Sequence, residues 1–141
     1  LKYLIMVSHG ELAPGLKTAC EMMTGPREDV FYCNLVDGMS TDTYADNFRR
    51  LLVPIDFEVD EVILLADITG GSPFTTAIGI LSEMGVLDKC TILSGMNLPM
   101  AITAVIMKDV LPKEEFVQNV LSEGKEAIVE FKITQTDEEE F

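Results

Sequence analysis

The chain contains one histidine, and it stands where an apolar run ends and a helical pattern begins: Tyr3 to Val7, then Ser8-His9-Gly10. Asp67 holds the corresponding place after the apolar run Val62 to Ala66, two residues before the loop Thr69-Gly70-Gly71-Ser72-Pro73. A carboxylate that accepts the proton on one imidazole nitrogen leaves the lone pair of the other aimed outward, which is the arrangement a nucleophilic histidine needs. The glycines let backbone approach closely, and the N–H groups of a helix start, with a hydroxyl beside them, make an anion site. The dipole part of such a site is worth about 0.3 to 1 kcal/mol, rising to about 2 when partly buried. A phosphoryl group suits it. Each feature alone has an ordinary reading: a structural histidine, a turn-capping aspartate, a Ser-Pro helix start. Their coincidence on one edge of a fold is what points to chemistry.

That coincidence depends on the elements. Tyr3 to Val7, Val30 to Leu35 and Val62 to Ala66 are short apolar runs, each followed by a loop and a helical pattern, and Cys90 to Leu93 reads as a fourth strand. Strands apolar on both faces, such as Val62-Ile63-Leu64-Leu65, belong in a parallel sheet covered by helices. The expected fold is therefore α/β, a doubly wound and mainly parallel sheet. In the common order 2-1-3-4, His9 and Asp67 face each other across the crevice at the carboxyl ends of the strands. Helices are expected over Leu12 to Met23, with Leu12, Leu16, Ala19, Cys20 and Met23 on one face and Gly25 as the stop, and over Thr41 to Val53. A third starts with Ser72 as N-cap and Pro73 in the first turn and closes at Gly85. Two more follow Asn97 and Pro112, the last stopped by Gly124. Ala127 to Ile133 reads as a final strand, added antiparallel, which would cover the open edge near Cys90 to Leu93. We expect one domain over 1–134 and a solvated acidic tail over 135–141.

Three blocks make the pattern specific: Ser8-His9-Gly10-Glu11-Leu12-Ala13, then Leu65 through Asp67 to Gly70-Gly71-Ser72-Pro73-Phe74, then Gly95-Met96-Asn97-Leu98-Pro99-Met100. In order and separation they resemble the mannose-type IIA family of the sugar phosphotransferase systems. The resemblance implies that His9 is phosphorylated, that Asp67 orients it, and that Gly70, Gly71 and Ser72 cradle the phosphoryl group, with no metal and no cofactor. It also implies the carrier protein HPr as donor, a separate IIB component as acceptor, and membrane IIC and IID components as indirect partners. The sugar would be of the mannose, fructose, sorbose or N-acetylgalactosamine type. The family forms homodimers that exchange the C-terminal strand. Thr69 and Thr75 stand where many relatives carry an aromatic residue and an asparagine, positions expected to shape partner docking and helix start. A phosphotransfer subunit of a dihydroxyacetone kinase and a regulatory module that senses phosphorylation remain as alternatives.

Other classes fit less well. A histidine phosphatase needs an arginine before the histidine and a second histidine; a receiver domain needs an acidic pair after strand one; a serine hydrolase needs a G-x-S-x-G elbow. The 141 residues carry a formal net charge of −14, which opposes a nucleic-acid partner. Cys20, Cys33 and Cys90 lie far apart with no C-x-x-C pair, so neither a disulfide framework nor a zinc site is expected. No apolar run has membrane-spanning length, and a cytoplasmic protein is expected.

Overall fold

Residues 1–133 are described in a computed structural model of the chain. Positions 134 and beyond, with the acidic tail expected over 135–141, lie outside the described residues. Strand β1 (Lys2–His9) leads to α1 (Leu12–Thr24), β2 (Val30–Leu35) to α2 (Thr41–Leu52), and β3 (Glu61–Ala66) to α3 (Ser72–Glu83). A 3₁₀ turn (Leu87–Lys89), β4 (Cys90–Ser94), α4 (Leu98–Met107) and α5 (Lys113–Glu126) complete the order.

The four strands form one parallel sheet in the order β2-β1-β3-β4. Because side chains alternate along a strand, Leu4, Met6, Ile63 and Leu65 face a cluster completed by α1, α4 and α5. Ile5, Val7, Val62 and Leu64 face the opposite cluster, completed by α2 and α3. Both faces are covered, which is why the strands are apolar throughout rather than alternating with polar residues. Truncating such a residue, Leu64 for example, removes packing worth roughly 2 to 5 kcal/mol. No helix among the described residues is long and apolar enough to cross a membrane.

Two sequence expectations change, and a third is not met within the single chain. Leu12 and Met23 lie on the exposed side of α1, whose buried face is Ala13, Leu16 and Cys20; helical spacing alone does not say which of two adjacent stripes meets the sheet. Gly124 does not stop α5, which runs on to Glu126. It is buried where a Cβ would come within 3.2 Å of Met100 Cβ, and its carbonyl accepts from Asn97 Nδ2 at 3.2 Å. A larger residue would push α5 and the start of α4 apart by a few tenths of an ångström, so its role is packing. Finally, residues 127–133 form no strand in the single chain, and Ile128, Val129, Phe131 and Ile133 are exposed.

Candidate functional site

His9 ends β1 and Asp67 follows the last residue of β3. The two strands are neighbours, with Val7 opposite Ala66, and the Asp67 N–H donates to the Val7 carbonyl at 3.2 Å. This register brings the carboxylate beneath the imidazole. Asp67 Oδ2 accepts from the His9 backbone N–H at 2.9 Å and lies 2.8 Å from His9 Nδ1, while Oδ1 accepts from the Ile68 N–H at 2.9 Å. One carboxylate thus holds both the backbone and the ring of the histidine.

Burial alone would raise the Asp67 pKa. The bonds from the His9 backbone and ring and from the Ile68 N–H outweigh it and hold the carboxyl below the ordinary aspartate value. Ionised, it is acceptor-only, so Nδ1 must carry the proton and Nε2 is left to the outside. The Asp67 side chain is 11% exposed and that of His9 46%: the carboxylate is shielded and the imidazole accessible.

Gly10, the next residue, turns the chain with φ +57°. Its N–H donates to the Leu35 carbonyl at 2.8 Å and its carbonyl accepts from Asn34 Nδ2 at 2.7 Å, both on β2. Ser8, fully buried, accepts from the Ala13 N–H at 2.8 Å and so ties the first turn of α1, whose own N-cap Glu11 makes no side-chain cap bond, to the strand. The histidine is therefore gripped from β3, β2 and α1.

Opposite Nε2 lies the start of α3. Here the N-cap is Gly71, in extended conformation, and Ser72 is the first helical residue, so the expected role of Ser72 as N-cap is corrected. Serving as N-cap would turn its hydroxyl onto its own helix; from the first turn it is exposed at the edge of the site. A Cβ on Gly71 would sit 2.7 Å from His9 Cε1 and 3.3 Å from Nε2. Only a glycine lets the helix start come this close to the ring. The first-turn N–H groups of a helix have no intrahelical partner; in α3 they are those of Ser72 and Phe74, since Pro73 has none. Buried Tyr44 of α2 donates its hydroxyl to the Pro73 carbonyl at 2.8 Å and anchors this turn from below. A cleft of about 420 Å³ continues from His9 and Gly10 along Leu35 to Met39.

All five expected site residues, His9, Asp67, Gly70, Gly71 and Ser72, come to one edge. Sequence reasoning missed Tyr44, Asn34 and Ser94, the last bonded to Thr69. Ser94 had a readable signal, since it ends β4 on the same edge; Tyr44 had none beyond helical spacing. The cysteines take no part: burial pushes the Cys33 and Cys90 thiols up to about 11 and also raises Cys20, leaving them protonated near neutral pH.

A family model described as "PTS system fructose IIA component" matches residues 3–121. The chain is 29% identical over 130 residues to the PTS system mannose-specific EIIAB component of Escherichia coli strain K12, an alignment covering 92% of this chain and 39% of that protein. It therefore spans well under half of that relative's length. It is 25% identical over 117 residues to the PTS system fructose-specific EIIA component of Bacillus subtilis strain 168, covering 83% of this chain and 77% of that one. Among solved structures it is similar to a phosphotransferase system component EIIA from Streptococcus agalactiae, with TM-score 0.80, 30% identity, and coverage of 93% of this chain and 98% of that one.

Proposed function

The chain belongs to the PTS system fructose IIA component family, and from that premise we propose that it is a cytoplasmic phosphocarrier. It takes a phosphoryl group from the phosphohistidine of HPr onto His9 Nε2 and passes it to a IIB component, in service of sugar uptake through membrane IIC and IID components. The observation that carries this reading is the imidazole itself, with Nδ1 on ionised Asp67 at 2.8 Å and Nε2 beside Gly71.

In the transfer, the Nε2 lone pair attacks phosphorus in line. The Nε2–P bond forms as the donor's N–P bond breaks, and that bonding pair leaves on the donor imidazole. The Nδ1 proton stays in place, so the phosphorylated ring is formally cationic, and the Asp67 carboxylate stabilises that charge where it develops. The Gly71 and Ser72 amides at the start of α3 and the Ser72 hydroxyl donate to the phosphoryl oxygens, with the dipole of the helix behind them. Because a phosphoimidazole is already an activated donor, positioning and charge stabilisation are what remain for this protein to supply. Transfer to IIB is the same step in reverse with a different imidazole or thiolate partner. Mass spectrometry after incubation with phosphorylated HPr tests the reading: one acid-labile phosphate on the intact chain, none on His9→Ala. A stable phosphate on Asp67 or Ser72 would refute it.

The same reading includes a homodimer in which residues 127–133 add antiparallel to the β4 edge of a second copy. Two observations support it. Among the described residues β4 pairs with β3 only, and the apolar residues Ile128, Val129 and Ile133 are 65 to 80% exposed in the single chain, an arrangement proteins avoid by covering both.

A further inference from the structure

Ile68, Thr69 and Gly70 are all exposed, and Gly70, at φ +86°, has no atom within 4 Å of the place a Cβ would take. Packing does not hold this turn, yet it sets the position of Gly71, against which the imidazole rests. Hydrogen bonds hold it instead. At one end the Ile68 N–H is tied to Asp67 Oδ1 at 2.9 Å. At the other, the Gly71 carbonyl accepts from the Thr75 N–H at 2.9 Å and from the Thr75 hydroxyl at 3.2 Å. In the middle, Thr69 Oγ1 is hydrogen-bonded to Ser94 Oγ.

Ser94 is the last residue of β4 and pairs with Ala66, the residue before Asp67. Just beyond it, the Met96 N–H donates to the Ala66 carbonyl at 3.0 Å. Its hydroxyl therefore belongs to the rigid end of the sheet, and the contact with Thr69 is where that rigid end takes hold of the turn. Neither hydroxyl touches His9.

We propose that Thr69 and Ser94 are positioning residues for phosphoryl transfer, their hydroxyl pair latching the 68–70 turn to the end of β4 so that the Gly71–Ser72 backbone meets the group on Nε2. This rests on the phosphocarrier reading. An exposed hydroxyl bond contributes little to global stability, whereas transfer is sensitive to displacements of an ångström. Breaking the latch therefore changes the maximal rate far more than it changes the fold, and Ser94→Ala breaks it without altering Thr69, the exposed partner that a donor can meet.

The test uses the full chain with Thr69→Val, Ser94→Ala, the double variant and Ser94→Thr, in single-turnover phosphorylation by phosphorylated HPr over a range of donor concentrations. Amide hydrogen exchange at Ile68 and Thr75, whose N–H groups are bonded at the two ends of the turn, is followed in the unphosphorylated proteins. Each single removal is expected to lower the maximal rate about 10-fold, with the half-saturating donor concentration unchanged in Ser94→Ala, and to speed exchange at Ile68 and Thr75. The double variant should be no slower than either single one, because both remove the same bond, and Ser94→Thr should keep the wild-type rate. A wild-type maximal rate in either removal, multiplicative losses in the double variant, or unchanged exchange would overturn the latch. If the wild type accepts no phosphate, the carrier reading falls separately, and the exchange rates still decide whether the hydroxyl pair holds the turn.

Discussion

Gly71→Ala separates space from conformation at the site. Gly71 has φ −75° and ψ 164°, values an alanine adopts without strain, so the substitution adds a methyl group and nothing else. That methyl would lie 2.7 Å from His9 Cε1 and 3.2 Å from Ile68 Cδ1. Ordinary contact begins near 3.4 Å, so the ring or the helix start must move by about 0.7 Å, and the ring cannot move without straining its bond to Asp67. Taking about 100-fold in rate per ångström of misplacement, the loss is roughly 30-fold, or about 2 kcal/mol in the barrier. Stability should change by less than about 1 kcal/mol, because the smaller conformational freedom of the unfolded alanine chain offsets part of the crowding. Gly70→Ala is the control. Its φ of +86° strains any side chain, at about 1 to 2 kcal/mol, but its Cβ would meet nothing. Rapid-quench phosphorylation by phosphorylated HPr, with thermal melts of both variants, should show the rate loss concentrated in Gly71→Ala and the stability loss in Gly70→Ala. Wild-type transfer by Gly71→Ala would refute the close-approach argument.

Asp67→Asn can still bond to the ring but cannot stabilise developing positive charge, so transfer should slow by about 100-fold or more while the fold persists; an unchanged rate in the same quench assay would make the carboxylate merely structural. The folded pKa of Asp67 lies below its unfolded value, so its stabilisation is complete above the ordinary aspartate pKa of about 3.9 and is lost as pH falls through the lower folded value. Denaturant titrations between about pH 5 and pH 2 should therefore show a shallower acid loss in Asp67→Asn than in the wild type. Deleting residues from Lys125 onward should cost both dimerisation and stability, at roughly 1.5 to 3 kcal/mol for each large apolar side chain no longer buried. Light scattering showing a monomeric intact chain, or a truncated form still dimeric and equally stable, would count against strand exchange.

Local chemistry determined a good deal here. The β-branched runs at Val30 to Leu35 and Val62 to Ala66 and the glycine stop at Gly25 act within a few residues, and strands apolar on both faces can be buried only beneath two helical layers. A sole histidine and an aspartate, each ending a strand, with a glycine loop opening the next helix, made the site legible because strand ends in such a sheet share one edge. What the tertiary structure alone decided are quantities set between distant segments. The β1–β3 register brings Asp67 to 2.8 Å from Nδ1 and so selects Nε2 as the outward nitrogen. Gly71 and Gly124 look like a turn glycine and a helix stop in the sequence. In space one makes room for the imidazole it touches and the other for the helix packed against it, and close approach between segments 24 or more residues apart leaves no mark on local composition. Tyr44, which the sequence reading did not single out, holds the Pro73 carbonyl 29 residues away, because burying a phenol requires a partner for its hydroxyl and the fold brings the start of α3 to it.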